Sequence, residues 1–426
     1  MKQPANQLKK KRKAIAAGLV GNILEWYDFA VYGFFAPILA TLFFPSDDPV
    51  TSLIAAYGAF AAGFLMRPVG AVIFGHIGDR LGRKRALTLS IVLMAIPSLC
   101  IGLLPTYEQI GVTAGVLLVV LRMLQGVAVG GEFTGSIVYL TENAPPGRRG
   151  FFASWSLFGA NGGILLGSLV GALLSYLLTD MQLHSWGWRL PFLAGVGVAI
   201  AGLMIRRSMD ETENDTNTDS AVAIPLVHVL RHHKAKLSLV FGLNTGFAVV
   251  FYSAFVYMSG WLVTQEHETQ AMALAINSAG LVMMCILIPI MAHISDRVGR
   301  KPVMLLGAIL MVVLPYPLAW LMGHPDPKFA VMAQFGFAIA ISTYVGPLPA
   351  TIAELFPPNI RVTAVSVGYN LAFAVFGGTA PMLATWLIAQ SGSNLGFAWY
   401  LSAMAAVSLV ATLFLPSTIG TKKKSD

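Results

Sequence analysis

Long apolar runs broken by short polar clusters set the pattern of this chain. A helix that crosses a bilayer needs about 20 mostly apolar residues. By that measure the sequence predicts twelve spans, at about 15–44, 51–76, 86–104, 112–141, 151–179, 188–206, 237–264, 270–294, 303–322, 329–353, 362–389 and 395–415. Several runs exceed the minimum, which implies tilt or extension beyond the hydrocarbon. The expected fold class is an all-α polytopic membrane protein.

Composition agrees with the pattern. Of 426 residues, 56% are hydrophobic and 11% are charged, against about 25% charged in soluble domains. The first apolar run follows a basic patch, KKKRK, as a signal peptide would. It contains Glu25 and Asp28 and lacks a small-residue cleavage site, so it reads as a first span with a basic anchor. Cys100 and Cys285 lie in apolar runs and form neither a metal-ligand spacing nor a disulfide framework.

The net charge of +8 changes meaning once the charges are placed. With the N-terminus inside, 24 of the 28 Lys and Arg fall on inner segments. These are the N-tail, Asp79–Arg85, Pro145–Arg149, 206–236, Asp296–Lys301, Pro357–Arg361 and the tail TKKK. Arg67 and Arg122 lie within spans, and Arg189 and Lys328 fall outside. The outer loops carry Asp47, Asp48, Glu108, Asp180, Glu266, Glu268 and Asp326. This positive-inside pattern implies cytoplasmic termini and gives no support to nucleic-acid binding.

Two segments repeat. GHIGDRLGRK at 75–84 matches AHISDRVGRK at 292–301 in seven of ten positions, and ENAPPGRR at 142–149 parallels ELFPPNIR at 354–361. Each pair occupies the same place in its half, so the chain reads as six plus six helices. The expected division is an N-terminal bundle 1–205, a polar cytoplasmic linker 206–236 and a C-terminal bundle 237–426 with a short tail.

The doubled G-x-x-x-D-R-x-G-R-K loop resembles the signature of the major facilitator superfamily, with Ala292 in place of the second leading glycine. NILEWYDF, RMLQGVAVGGEF, RRGFFASW, WGWRLPF and GYNLAFAVFGGTAP are similar to the metabolite:proton symporter family, which includes proline/betaine, 2-oxoglutarate, shikimate and citrate carriers. GGEFTGS and RRGFFASWSLFG resemble the proline/betaine branch most. The osmosensing member of that branch has a long coiled-coil tail, whereas this chain reads TKKKSD after its last span. The resemblance implies a secondary transporter in a bacterial inner membrane, without enzymatic activity, cofactor or metal. It implies proton-coupled symport of a proline- or betaine-like osmolyte by alternating access. A di- or tricarboxylate carrier is the alternative, and a non-transporting membrane receptor is the alternative of another class. The expected partners are substrate, protons and lipid, with no obligatory protein partner.

Ionisable residues inside spans are the candidates for chemistry. Asp28 and Arg122 both fall near mid-depth, so a carboxylate opposite a guanidinium is expected to act as a proton switch, with Glu25 as a second proton site. Asn22, Glu25, Asp28, Phe29 and Tyr32 share an arc of about 120° on the first helix. The symporter resemblance points to the same pair. Candidate substrate ligands are Asn22, Tyr32, Gln125, Asn161, Tyr252, Tyr344 and Asn370, and any of these can instead tie helices together. Aromatics in helices one and seven suit a quaternary ammonium, with Arg122 for its carboxylate. A cytoplasmic gate is expected from Gly75, Asp79, Arg80, Gly82 and Arg83, with Glu132, Glu142 and Arg149. The resemblance extends that role to Asp296, Arg297, Arg300, Glu354 and Arg361.

Overall fold

A computed structural model describes residues 19, 21–23, 25–81, 83–207, 225–266, 268–393 and 395–417. Among the described residues eight helices are long and apolar enough to span a membrane: α2 (Pro49–Phe74), α4 (Thr113–Glu142), α5 (Arg149–Leu177), α7 (Lys234–Thr264), α8 (Gln270–Val298), α10 (Pro327–Glu354), α11 (Arg361–Ser391) and α12 (Gly396–Leu413). Two bent pairs supply α1 (Gly21–Phe34 with Ala36–Phe43) and α9 (Arg300–Val313 with Pro315–Met322). The helices Arg83–Leu103 and Arg189–Arg207 carry shorter apolar stretches and complete the set as α3 and α6. Twelve helices result, in the chain order expected.

The surface is inverted relative to a soluble protein. Ile73, Ile96, Leu173, Ile286, Leu306 and Val410 are exposed, whereas Asn22, Arg67, Arg122, Gln125 and Asn244 are completely buried. Hydrocarbon suits that arrangement, because every polar group must find its partners inside the bundle.

The helices are less regular than the apolar runs predict. The axis of α1 turns by 62° at Phe35 and that of α9 by 52° at Leu314, where Pro315 follows. One α4 segment ends at Val129 and the next starts at Glu132, with Gly130 and Gly131 between. Gly346 and Pro347 interrupt α10 at the related place. Single π-turns occupy Ser253–Tyr257 of α7 and Phe373–Gly377 of α11. Hydrophobicity alone carries no signal for such breaks. Part of the stretch expected as a linker is also ordered. Pro225–His232 is helical, Val229 is fully buried, and Lys236 donates to the Leu355 carbonyl at 2.8 Å. Val229, with the half-buried Leu226, supplies its packing contacts.

Within the first half, glycines bring α2 and α4 into backbone contact. A methyl at Gly126 would fall on the Gly63 carbonyl, one at Gly70 on the Val127 carbonyl, and one at Gly130 on the backbone of Arg67 and Ala71. Small residues thus form the helix seam, as in other membrane bundles. Between the halves, α5 packs along α8 and α2 along α11.

Gly126→Ala is expected to overpack this seam by about 1–3 kcal/mol and to lower the melting midpoint of the detergent-solubilised protein. Gly135→Ala, where nothing lies within 4 Å of the new methyl, is the control and leaves the midpoint unchanged.

Candidate functional site

Asp28 and Arg122, expected to face each other, are connected through two other side chains in a chain of four. Asp28 on α1 is 3% exposed and accepts a hydrogen bond from Ser98 Oγ of α3 at 2.7 Å. Ser98 Oγ accepts from Gln125 Nε2 at 2.8 Å, and Gln125 Oε1 accepts from Arg122 Nη1 at 2.7 Å. The Ser98 hydroxyl also lies 3.0 Å from the Met94 carbonyl. A hydroxyl has one proton to give, so it serves either Asp28 or Met94. An ionised Asp28 draws that proton. A protonated Asp28 donates to Ser98 and turns the hydroxyl to Met94. Gly195 of α6 faces Asp28 so closely that a methyl there would meet Oδ1.

Arg122 is fully buried, with Nε and Nη2 lacking hydrogen-bond partners. Its Cζ stands 4.4 Å from the Tyr32 ring centroid, 4.5 Å from Phe29 and 5.5 Å from Phe60. Ring faces partly replace the hydration that the guanidinium has lost. Glu25, Asp28, Ser90 and Glu132 line one cleft between α1, α3, α4 and α6. Glu132, expected at the gate, therefore lies half-buried beside the two buried carboxylates, 3.5 Å from Ser90 Oγ.

The expected substrate ligands separate into two groups. Asn22 ties α1 to Ser136 and to the Ser156 carbonyl, Asn161 donates to its own helix at Leu157, and Tyr344 donates to the Leu243 carbonyl. The contacts of Asn22 and Tyr344 join helices, and that of Asn161 stays within its own. Tyr32 donates to the Ala56 carbonyl while its face meets Arg122. Tyr252, with a buried hydroxyl that has no partner, and Asn370, bonded to the Gly130 carbonyl across the halves, lie at the centre.

Gate residues meet at the end of the bundle where α4 turns into α5 and α10 into α11. Glu142 Oε1 pairs with Arg361 across the halves at 2.6 Å. The Asp296 carboxylate of α8 accepts from the backbone N–H of Gly150 and of Phe151, each at 2.8 Å. One half thus supplies a carboxylate to the positive N-terminus of α5 in the other. Gly150 is required for that approach, since a methyl there would press on Asp296 and the Ala292 carbonyl. Arg300, 2% exposed, binds Asp296 at 2.7 Å and Glu354 at 3.2 Å. Gly299, at φ 98°, makes the turn into α9. Arg149 lines the cleft beside Glu142 and Glu354 without an ion pair among the described residues, and Arg297 is exposed. Gly82 and the side chains of Asp79, Arg80 and Arg83 lie outside the described residues, as does the environment of Gly75. At the opposite end Gln270 of α8 donates to the Phe34 carbonyl, and Ser168 of α5 to that of Leu274. The halves therefore touch above and below the centre.

Two functional candidates escaped the sequence reading. Ser98 is one among many hydroxyls in apolar helices and carries no signal alone. Arg67 was placed near a helix end. In the structure helix continues through Arg67–Leu81 beyond it, and the residue is completely buried. Arg67 and Arg122 are thus both deep cations, and two cations suit a dicarboxylate as well as a zwitterion.

A twelve-helix membrane bundle with buried charges at its centre and ion pairs at one end is a secondary transporter. Comparisons with known proteins give its family. Residues 13–215 match the family described as Sugar (and other) transporter, and residues 265–425 the Major Facilitator Superfamily. The glycine betaine/proline/ectoine/pipecolic acid transporter OusA of Dickeya dadantii is 35% identical over 96% of this chain and 83% of its own length. The proline/betaine transporter of Escherichia coli K12 is 34% identical, with 96% and 84% covered. The alpha-ketoglutarate permease of the same strain is 35% identical, with 97% and 96% covered. A crystal structure of a D-xylose-proton symporter shares the fold at a TM-score of 0.76 and 21% identity, covering 96% of this chain and 99% of that one. The chain belongs to the major facilitator superfamily and, within it, to the metabolite:proton symporters.

Asp296→Asn removes a charge-assisted cap and one partner of Arg300, interactions worth about 1.5–3 kcal/mol. In a protein otherwise free of cysteine, alkylation of Thr141→Cys beside the gate cleft is expected to accelerate roughly tenfold in that variant. An unchanged rate shows that the latch does not hold this end shut.

Proposed function

We propose that the protein is a proton-coupled symporter of a small zwitterionic osmolyte of the proline or betaine kind, working by alternating access. The termini and the gate end face the cytoplasm of a bacterial inner membrane. The observation that carries the reading is the buried chain Asp28–Ser98–Gln125–Arg122. An ionised Asp28 balances Arg122 through two neutral side chains. A proton on Asp28 removes that balance and leaves an uncompensated guanidinium charge at the centre of the bundle, which favours entry of a substrate carboxylate. Release of substrate restores the attraction for the negative form of Asp28 and expels the proton. The cleft shared by Asp28, Glu25 and Glu132 supplies the proton path. The Glu142–Arg361 and Asp296–α5 contacts, with Asp79, Arg80, Gly82 and Arg83 in the other loop, form the gate that parts as the halves rock.

Two observations favour a second reading, a dicarboxylate carrier: Arg67 is buried as deeply as Arg122, and the alpha-ketoglutarate permease is matched over nearly its whole length. Uptake of labelled proline, glycine betaine, 2-oxoglutarate and citrate into proteoliposomes under an inward proton gradient separates the two. Proline or betaine accumulation that collapses with a protonophore is expected. Accumulation of 2-oxoglutarate alone would establish the second reading, and none with any of the four would remove both.

Asp28→Asn is expected to abolish accumulation against a gradient while keeping substrate exchange. Ser98→Ala and Gln125→Leu each remove one hydrogen bond of the chain. Each is expected to reduce proton-driven uptake about tenfold, the equivalent of roughly 1.4 kcal/mol. Uptake by Asp28→Asn that still follows the imposed pH gradient rules out the coupling assignment.

A further inference from the structure

Arg67 occupies a chamber of its own. The residue is 0% exposed, and its Nε, Nη1 and Nη2 make no well-formed hydrogen bond among the described residues, with the hydroxyls of Tyr252 and Tyr369 close by. Instead its Cζ sits among four rings, 5.1 Å from the centroid of Trp26, 5.2 Å from Phe64, 5.7 Å from Phe373 and 5.8 Å from Tyr369. Trp26 and Phe64 come from the first half, Tyr369 and Phe373 from the second. The Tyr252 hydroxyl and the Trp26 indole N–H are likewise buried without partners. Arg67 and Glu25 both lie near the hydroxyls of Tyr252 and Tyr369.

A guanidinium offers five N–H donors in a planar fork that matches a carboxylate. Leaving all of them unused in a dry interior is costly, and ring faces offset only part of that cost. The same faces are what a quaternary ammonium needs, since it has no proton to donate and is bound by aromatic quadrupoles and by negative charge. Arg67 occupies those faces itself.

We infer that the Arg67 chamber is the binding subsite for a zwitterion. The ligand carboxylate takes the Arg67 fork and draws it off the rings, and the ligand ammonium takes the vacated faces of Trp26, Tyr369 and Phe373 with Glu25 as counter-charge. The exchange replaces one cation by another and leaves the charge of the chamber unaltered. Because the rings belong to both halves, a seated ligand bears on the contact between them. The chamber also adjoins the proton site. Phe64 meets Phe29 at 5.0 Å, and Phe29 lies under Arg122, so movement of the Arg67 fork is felt on the wall of the Arg122 cage. A dicarboxylate fits less well, because its second carboxylate would face Glu25.

This inference rests on the symporter reading above and is tested apart from it, by calorimetric titration of the purified full-length protein in detergent. The probes are glycine betaine, choline, which lacks the carboxylate, and 2-oxoglutarate. Arg67→Gln is expected to weaken betaine binding roughly 100-fold and Arg67→Lys, which keeps charge but not the fork, roughly tenfold. Choline binding is expected to persist in Arg67→Gln. Phe373→Leu, which leaves both charges in place, is expected to weaken betaine and choline together, and it serves where Arg67→Gln does not fold. Betaine binding at wild-type strength in folded Arg67→Gln, or in Phe373→Leu, overturns the subsite even when wild-type protein accumulates betaine under a proton gradient. Wild-type protein that binds 2-oxoglutarate and not betaine overturns the ligand class, and the zwitterion reading with it.

Discussion

Two guanidinium groups buried in an apolar bundle set the conditions that the rest of the structure meets. A cation taken out of water loses its hydration, and hydrocarbon returns nothing for it. Arg122 recovers part of the loss from Gln125 and the rings of Tyr32, Phe29 and Phe60. Arg67 does so from Trp26, Phe64, Tyr369 and Phe373. The dense aromatic centre therefore has an electrostatic purpose beyond packing. Such cages require α2 and α4 to lie close, and the glycines that let Gly126 touch Gly63 and Gly130 touch Arg67 permit it. Neither cage fills all the donors of its cation, and each remains open to one more acceptor.

The ends of the bundle answer a different constraint. A transporter must separate its halves, so contacts across the gate have to be specific yet breakable. The Glu142–Arg361 pair is partly exposed and of the kind worth at most about 1 kcal/mol. The contact of Asp296 with the α5 N-terminus is more sheltered and charge-assisted, and Arg300 keeps that carboxylate in place from within its own half. Strong bonds inside a half and modest ones between halves suit rigid-body rocking. The breaks at Gly130, in the π-turns of α7 and α11, and at Gly346 fall where the central residues are presented, as expected where irregular backbone lines a cavity in a membrane protein.

Much of the fold was legible in the sequence because the bilayer imposes long apolar runs and the repeated D-R-x-G-R-K loop marks the two halves. Asp28 and Arg122 were legible because charge inside such runs is rare. The chain between them was not: whether Ser98 faces Asp28 depends on the packing of α3 against α1. Arg67 was misplaced for a simpler reason. Its span was drawn to end near residue 76, whereas helix runs on to Leu81 and shifts Arg67 toward the middle. Asn22 and Tyr344 were legible as buried polar groups, but sequence does not separate a ligand from a tie between helices. The bends at Phe35 and Leu314 left no mark in hydrophobicity, since apolar residues flank both.

The central claim is that one proton accompanies each neutral zwitterion through the chain headed by Asp28. Charge movement on a solid-supported membrane, recorded in sodium-free buffer at equal pH on both sides, tests it most directly. Adding glycine betaine is predicted to drive a sustained inward positive current that persists when potassium and chloride are replaced. A current that appears only with sodium, or betaine entry with no charge movement, would contradict the account.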